Sequence, residues 1–459
     1  MSLHRLHHCA ECLRKQIRID HLMEENRRLK DRVRYQERTA REAPFGSSTP
    51  SAKLAVKPNT LEENQQKKGG ARPGHAGNGR SRPRPDEVTR TERVAGPKTC
   101  PKCGTRLQSK GWRSRTVMDV VPVKKEVIDY QLEQCACPRC HRGFAATAPG
   151  VPTKGLFSHR LLAWVAEQHY QHGTTLGRLA RQLKVNSGSL IGAMHGLASQ
   201  FEGVMGKLVR EYRRARVKHA DETGWRNDGK NGYAWLFLTP LISLFRFRQS
   251  RSAKVAMEVF GSKKLPGTLV VDRYAGYNKV RCLVQYCYAH LLREVQDLGK
   301  EFMQEPEVRQ FVATLAPQLT QAMQLRQQGL KLKEFHHQGR QIKAAIIQSV
   351  QAPARHPGIQ KIQNIFRENE GKLYQWTRHP DIPAENNRAE RELRPLVIAR
   401  KISFGSQSER GLRTREILMS VLQTMGKQTE NVLGKLSEAL DALAINPKRD
   451  PYPLLFNSS

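Results

Sequence analysis

The chain has 459 residues, 38% of them apolar, and carries 78 Lys and Arg against 42 Asp and Glu, a formal net charge of +36. That excess points to a polyanionic partner, and the length points to roughly two to four domains. No run of about 18 apolar residues occurs, which excludes a spanning helix, and nine cysteines, among them the Cys-x-x-Cys pairs Cys100/Cys103 and Cys137/Cys140, fit metal ligation rather than a disulfide framework. The amino-terminal Met1-Ser-Leu-His-Arg-Leu-His-His lacks the apolar region of a secretory signal, so a cytoplasmic, nucleoid-associated protein with no membrane partner is expected.

Residues 1–42 read as a coiled-coil or dimerisation helix. Ile19, Asn26 and Val33 fall at one heptad position and Leu22 and Leu29 at the other, and a buried Asn26 would fix register and two-strandedness. With about three heptads, a solitary amphipathic helix fits equally well. Upstream, Cys9 and Cys12 with His4, His7 and His8 lack a second ligand pair at matching spacing. Residues 43–97, rich in Gly, Pro, Ser and charge, read as a basic flexible linker. Lys67, Lys68, Arg72, Arg80, Arg82 and Arg84 stand there with no acid between Lys67 and Pro85, suited to lying along phosphates or serving as a solvated tether.

Residues 98–150 read as a zinc ribbon. Cys100 and Cys103, then 33 residues, then Cys137 and Cys140 offer four thiolates to a structural Zn2+, with hairpin strands expected in the Val-rich stretch from Thr116 to Gln134. A closed four-ligand set serves folding rather than catalysis, and free or redox-active thiols are the alternative. Residues 151–214 read as a helix-turn-helix-like, DNA-binding segment: a helix through Thr174-Thr-Leu-Gly-Arg-Leu-Ala-Arg-Gln-Leu, a break at Lys184-Val-Asn, and a second helix from Ser187. An ordinary helical pair packed on the next domain has the same pattern.

From residue 215 the pattern changes to strands. Arg216 to Ala220 leads to Asp221, a Gly-rich turn spans Asn227 to Gly232, and strands at Tyr233 and Leu241 are separated by Pro240. A helix at Ala253 to Phe260 leads to the apolar strand Thr268 to Val271, which delivers Asp272. This order predicts a ribonuclease-H-like catalytic core whose first and fourth strands set two aspartates side by side, about 4.8 Å between strands. Residues 215–290 form its first part. The 117 residues between Asp272 and Glu390 are too many for one crossover, and their helical content makes residues 291–380 a helical insertion. Residues 381–440 form the second part, with Glu390 near a helix start, and 441–459 a carboxy-terminal tail. The overall expectation is a multidomain α+β protein.

Glu390 completes a three-carboxylate set, although Glu392, on another helical face, competes for the role. Arg388, Arg391, Arg394, Arg400 and Lys401 are suited to DNA phosphates, or else form a solvated face. Carboxylates gathered inside so cationic a chain are costly unless Mg2+ or Mn2+ neutralises them, and that implies metal-dependent DNA chemistry. Trp225 and Trp235 read as core aromatics, with base stacking the alternative. Cys287 and His290 are too few for a metal site and read as a contact between insertion and core.

Phe45-Gly-Ser-Ser, Pro73-Gly-His, the double Cys-x-x-Cys, Asp221-Glu-Thr, Asp272-Arg-Tyr-Ala-Gly-Tyr, Cys287-Tyr-Ala-His290, Asn386-Asn-Arg-Ala-Glu-Arg-Glu-Leu-Arg-Pro, Arg400-Lys and Phe404-Gly-Ser occur in this order. Together they resemble the insertion-sequence sixty-six family of TnpC-type DDE transposases over nearly the whole chain. Tyr288 stands where that family commonly has Trp, and Leu291-Leu-Arg replaces a more basic run. The resemblance implies that Asp221, Asp272 and Glu390 bind two Mg2+ ions for hydrolysis and strand joining. It further implies assembly as a homodimer or higher oligomer, and small accessory proteins from the same element. The expected function is a bacterial transposase that binds terminal inverted repeats and joins 3′ hydroxyls to target DNA. A metal-dependent endonuclease and a non-catalytic DNA-binding regulator or inactive remnant are the alternatives.

Overall fold

The computed structural model describes residues 10–41, 125–132, 134–136, 143–145, 148–152, 155 and 157–456. Cys100, Cys103, Cys137 and Cys140, and Lys67, Lys68, Arg72, Arg80, Arg82 and Arg84, lie outside the described residues. The chain divides into two compact units, Met1–Ser51 with Asp129–Ser459, and Ala52–Ile128. Of the second unit, residues 125–128 are described, and they form no regular element. All elements below belong to the first unit, a mixed α+β body.

Helix α1 (Ala10–Arg41) is continuous, and its heptad residues Ile19, Leu22, Leu29 and Val33 are exposed. Arg27 of α1 donates to Glu305 at 3.0 Å. Strands β1 (Gln134–Ala136) and β2 (Gly143–Ala145) pair antiparallel with Cys135 opposite Phe144. Residues 125–132 carry no strand, so the described hairpin lies later than the stretch expected from Thr116 to Gln134 and brackets the second Cys-x-x-Cys pair.

Helix α2 (His159–Tyr170) starts at Ser158, whose hydroxyl accepts from Leu161 N–H. The next pair, α3 (Leu176–Leu183) and α4 (Ser187–Gln200), turns at Lys184 in the left-handed region and restarts at Asn186, whose side chain caps α4 by accepting from Gly188 N–H. His195 of α4 reaches Thr414 at 2.6 Å, so the pair packs into the body of the unit. Helix α5 (Val204–Arg214) leads into the sheet.

The sheet consists of β3 (Val217–Asn227), β4 (Lys230–Leu238), β5 (Ser243–Arg248), β6 (Thr268–Val271) and β7 (Leu283–Tyr286), in the order β5-β4-β3-β6-β7. β3, β4 and β5 form an antiparallel meander. Its first turn holds Asp228 at φ +49° and Gly229 at φ +72°, the two positive-φ residues of a type I′ hairpin, with Asn227 opposite Lys230. Helix α6 (Ala253–Phe260) then crosses over, returning β6 parallel to β3, and β7 adds parallel to β6. Trp235 stacks on Phe237 and meets Tyr277 edge-on, while Trp225 packs on Phe247, so both tryptophans are core residues.

Between β7 and the last helices lie α7 (Tyr288–Glu301), α8 (Pro306–Gln324), α9 (Leu332–Gln351) and α10 (Pro357–Glu368). Then follow α11 (Asn387–Ser403), α12 (Glu409–Gln428) and α13 (Val432–Ile445). Edge strand β5 does not expose its free backbone donors. Residues one turn apart on α12 accept them: Thr424 Oγ1 from Ser243 N–H at 3.1 Å, Ser420 Oγ from Phe245 N–H at 2.9 Å, and Glu416 Oε2 from Phe247 N–H at 3.1 Å. The helix thus closes an edge that would otherwise recruit another strand. No helix among the described residues is long and apolar enough to cross a membrane.

Candidate active site

Three elements converge at the carboxyl end of β6. The β3–β6 register runs Val217↔Thr268, Lys218↔Leu269, His219↔Val270. Carried two residues further, it sets Asp221 beside Asp272, and in-register residues of parallel neighbours share a face of the sheet. Asp221 Oδ1 accepts from Glu222 N–H at 2.9 Å and Asp272 Oδ1 from Tyr274 N–H at 3.0 Å, which fixes each carboxyl against its own backbone.

Glu390 arrives in the first turn of α11. Its Oε1 accepts from Arg293 Nη2 of α7 at 2.9 Å and lies 3.8 Å from His290 Nε2. Burial pushes the Asp221 carboxyl well above the usual range, and the negative charges of Glu222, Asp272 and Glu390 push it further. The three acids therefore feel one another. Carboxylates that raise one another's pKa are relieved by a bound cation, and a donor set of carboxylate oxygens suits a hard divalent ion such as Mg2+ or Mn2+.

Glu222, the next residue on β3, belongs to a different environment. Burial, then the charge of Asp272, pushes it up to about 7, while Tyr277 and Arg251 oppose the shift. Tyr277 donates to it at 2.5 Å and Arg251 at 2.6 Å. Glu392 is likewise engaged, accepting from Ser243 Oγ at 2.5 Å and Lys427 Nζ at 2.7 Å. This ties α11 to β5 and α12 and leaves Glu390 as the carboxylate of α11 that faces the aspartates.

Asn386, which precedes α11, is the joint that brings Glu390 to the sheet. It is buried, its Nδ2 donates to Ala220 O at 2.9 Å, and its Oδ1 meets His219 Nδ1 at 2.9 Å. Burial pushes His219 down to about 4, so the ring is neutral and Nδ1 carries the donated proton. Asn386 N–H donates to Cys287 Sγ at 3.1 Å, joining the start of α11 to the start of α7. Residue-type patterns single out the acids and the Cys287–His290 contact but not the roles of Asn386 and Arg293 at this joint, although an Asn just ahead of a helix is itself a cap signal.

Cys287, His290 and Glu390 also form a compact trio, their ligand atoms within 4.8 Å of one another. Burial pushes the Cys287 thiol up to about 12, and it already accepts from Asn386, which makes it a protonated capping group.

The five basic residues expected at phosphates divide. Arg388 donates to Pro240 O at 3.4 Å and Arg400 to Gly224 O at 2.7 Å, because backbone carbonyls of the β4–β5 connection and of β3 lie within their reach. Arg391, Arg394 and Lys401 are exposed.

An α+β chain with an acidic cluster on its sheet and a large basic excess belongs among proteins that act on nucleic acid, and its sequence matches say which. Residues 154–414 match the Transposase IS66 family, and residues 97–141 match the zinc-finger binding domain of transposase IS66. The chain belongs to the IS66 transposase family. The second match supports a structural zinc and DNA binding. A relative in Sinorhizobium fredii (strain NBRC 101917 / NGR234), described as the uncharacterized protein y4qI, is 27% identical over 374 residues, covering 71% of this chain and 67% of its own.

Proposed function

We propose that the chain is a DDE transposase with a ribonuclease-H-like core. It binds the terminal inverted repeats of its element, hydrolyses the phosphodiester at the element ends and joins the 3′ hydroxyls to target DNA. The convergence of Asp221, Asp272 and Glu390 carries this reading. Support for the core comes from the sheet order, in which the first and fourth strands of the sheet lie adjacent and parallel.

Asp221, Asp272 and Glu390 would hold Mg2+ or Mn2+, and bound ions of this kind activate an attacking oxygen and neutralise a leaving one. Asn386 fixes the start of α11 against β3, so Glu390 approaches the aspartates on a rigid element. Arg293 orients the Glu390 carboxylate and balances its charge. Arg391 and Arg394, exposed one turn apart beyond Glu390, grip phosphates of the strand being cut, with Lys401 further along and Arg388 and Arg400 adding charge from their backbone anchors. Cys100, Cys103, Cys137 and Cys140 would hold the structural zinc, and the basic linker from Lys67 to Arg84 lies along DNA. The exposed seam of α1 supports pairing with a second copy, and small accessory proteins of the element join the assembly at the nucleoid.

The test is an oligonucleotide duplex bearing an element end, incubated with purified protein in Mg2+, in Mn2+ or in chelator. Cleaved and joined products are expected with metal. Asp221→Asn, Asp272→Asn and Glu390→Gln should each lower both by roughly a thousandfold while DNA affinity is kept. Wild-type protein that binds the ends yet matches these variants in every metal is a DNA-binding regulator instead.

A further inference from the structure

Helix α11 continues past Glu390 as a solvent-facing stripe. Arg391, Arg394, Pro395, Ile398, Lys401 and Ile402 are all exposed, and at 100° per residue they fall on one side of the helix with no acid among them. The stripe ends at Phe404, 77% exposed and held at φ +59°, a conformation uncommon for a bulky residue. Its surroundings impose that backbone. Gly405 follows at φ +127°, so close to the sheet that a Cβ there would lie 2.1 Å from Arg226 O. Ser406 N–H donates to Arg226 O at 2.9 Å, Asp228 N–H to Ser406 O at 2.8 Å, and Trp225 Nε1 to Ser406 Oγ at 3.1 Å. An aromatic ring is thus presented to solvent from a pinned, strained segment, the kind of outlier that marks a functional position.

We propose that Phe404 is a stacking post for an unpaired DNA base, on a strand that follows the basic face of α11 away from the Glu390 site. The proposal rests on the DNA-processing reading above and deepens it. An exposed ring interleaved with cations suits single-stranded nucleic acid, whose bases stack on aromatic faces while the backbone tracks positive charge. A second copy is a poor occupant, because a symmetric contact through this stripe would set its Arg and Lys residues against their own kind. The 14 residues from Glu390 to Phe404 span about 21 Å of helix, on the order of six nucleotides from the cut at 3.4 Å each.

Fluorescence anisotropy on the full chain, with a labelled 30-nucleotide single strand of random sequence and the matching duplex as probes, tests the idea. Phe404→Ala, and Phe404→Asn, which tolerates the left-handed backbone, should each weaken single-strand binding roughly tenfold. Duplex affinity should stay within about twofold and the salt slope should not change, since no phosphate contact is lost. Phe404→Trp should keep the affinity and add an emission signal that the single strand quenches and the duplex does not. Equal single-strand affinity in all variants overturns the proposal. So does a loss that falls equally on both probes, or Phe404→Ala dissociating an oligomer in sedimentation with DNA affinity intact. Wild-type protein that binds neither probe defeats both readings. Binding through Phe404 with no cutting in any metal defeats the strand-transfer reading alone.

Discussion

Two acids, one at the edge of the sheet and one on an interior strand, are treated in opposite ways. Glu416, on the helix that covers the β5 edge, is buried and fully compensated: Arg246 and Arg248 each donate at 2.9 Å, Arg413 donates as well, and Phe247 N–H completes the set. Asp221, on β3, has the backbone N–H of Glu222 and otherwise faces Asp272, Glu390 and Glu222. Where a carboxylate holds the fold together, the chain supplies its cations. Around Asp221 the charges that act on it are negative, and in the metal-dependent reading proposed above a bound cation would compensate them.

The contrast should show first in stability. Glu416→Ala leaves the buried Arg246 without its counter-charge and should cost about 3–5 kcal/mol, read as a fall in melting temperature or in the denaturant midpoint. Asp221→Asn should do the reverse in chelator, holding or raising the midpoint because it removes a repelled charge. Added Mg2+ should stabilise wild-type protein by mass action and leave Asp221→Asn where it was. Equal losses in the two variants would break the distinction.

Asp221 and Asp272 stand out in the sequence because an acid closing an apolar strand departs from the pattern around it, and the α+β class follows from strands giving way to helices. The Asp-Gly turn at residues 228–229 was equally readable, since I′ geometry selects those residue types. What surrounds the acids was not readable. Asn386 meets His219 from 167 positions away and Arg293 meets Glu390 across 97, and no local periodicity encodes such distances. Nor does sequence separate an arginine left in solvent from one committed to a carbonyl: Arg391 and Arg400 look alike until Gly224 O appears 2.7 Å from the latter. The cover of β5 by Glu416, Ser420 and Thr424 was hidden too, because these residues read as an ordinary amphipathic helix.

Arg415 presents a third arrangement, a buried cation with no carboxylate at salt-bridge distance among the described residues. Its Nη2 donates to His169 Nε2 at 3.0 Å, and its guanidinium lies over the rings of Trp225 and Tyr170. His169 can accept only while neutral. Burial, reinforced by Arg415, pushes it from 6.5 down to about 4, and its Nδ1 meets Thr174 O at 2.8 Å. A histidine with a depressed folded pKa contributes stability that is present above 6.5 and lost as pH falls toward 4. The loss should be on the order of 3 kcal/mol, visible as a midpoint that drops across that window and flattens in His169→Gln.

Asn386→Ala should have a smaller effect on the fold and a larger one on the chemistry. Removing the side chain leaves Ala220 O and His219 Nδ1 without a buried partner, worth about 1–3 kcal/mol. It also frees the end of α11 that aims Glu390. Cleavage should therefore fall further than the stability change accounts for, at temperatures where circular dichroism shows the variant fully folded. If activity only tracked the folded fraction, Asn386 would be a packing residue and the rigidity assigned to Glu390 would lie elsewhere.

The smallest effect separates two arginines of one helix. Arg391 is exposed and makes no hydrogen bond or salt bridge among the described residues, so Arg391→Ala should leave the melting temperature unchanged and lower the salt slope of DNA binding by about one. Arg400 anchors α11 to Gly224 O, so Arg400→Ala should cost about 1 kcal/mol of stability and change the slope less. A guanidinium already committed to a carbonyl must give up that bond to reach a phosphate, while one in water gives up only solvent. If the two variants shift the slope equally, the Gly224 contact is too weak to hold Arg400 once DNA arrives, and the whole length of α11 serves as the phosphate track.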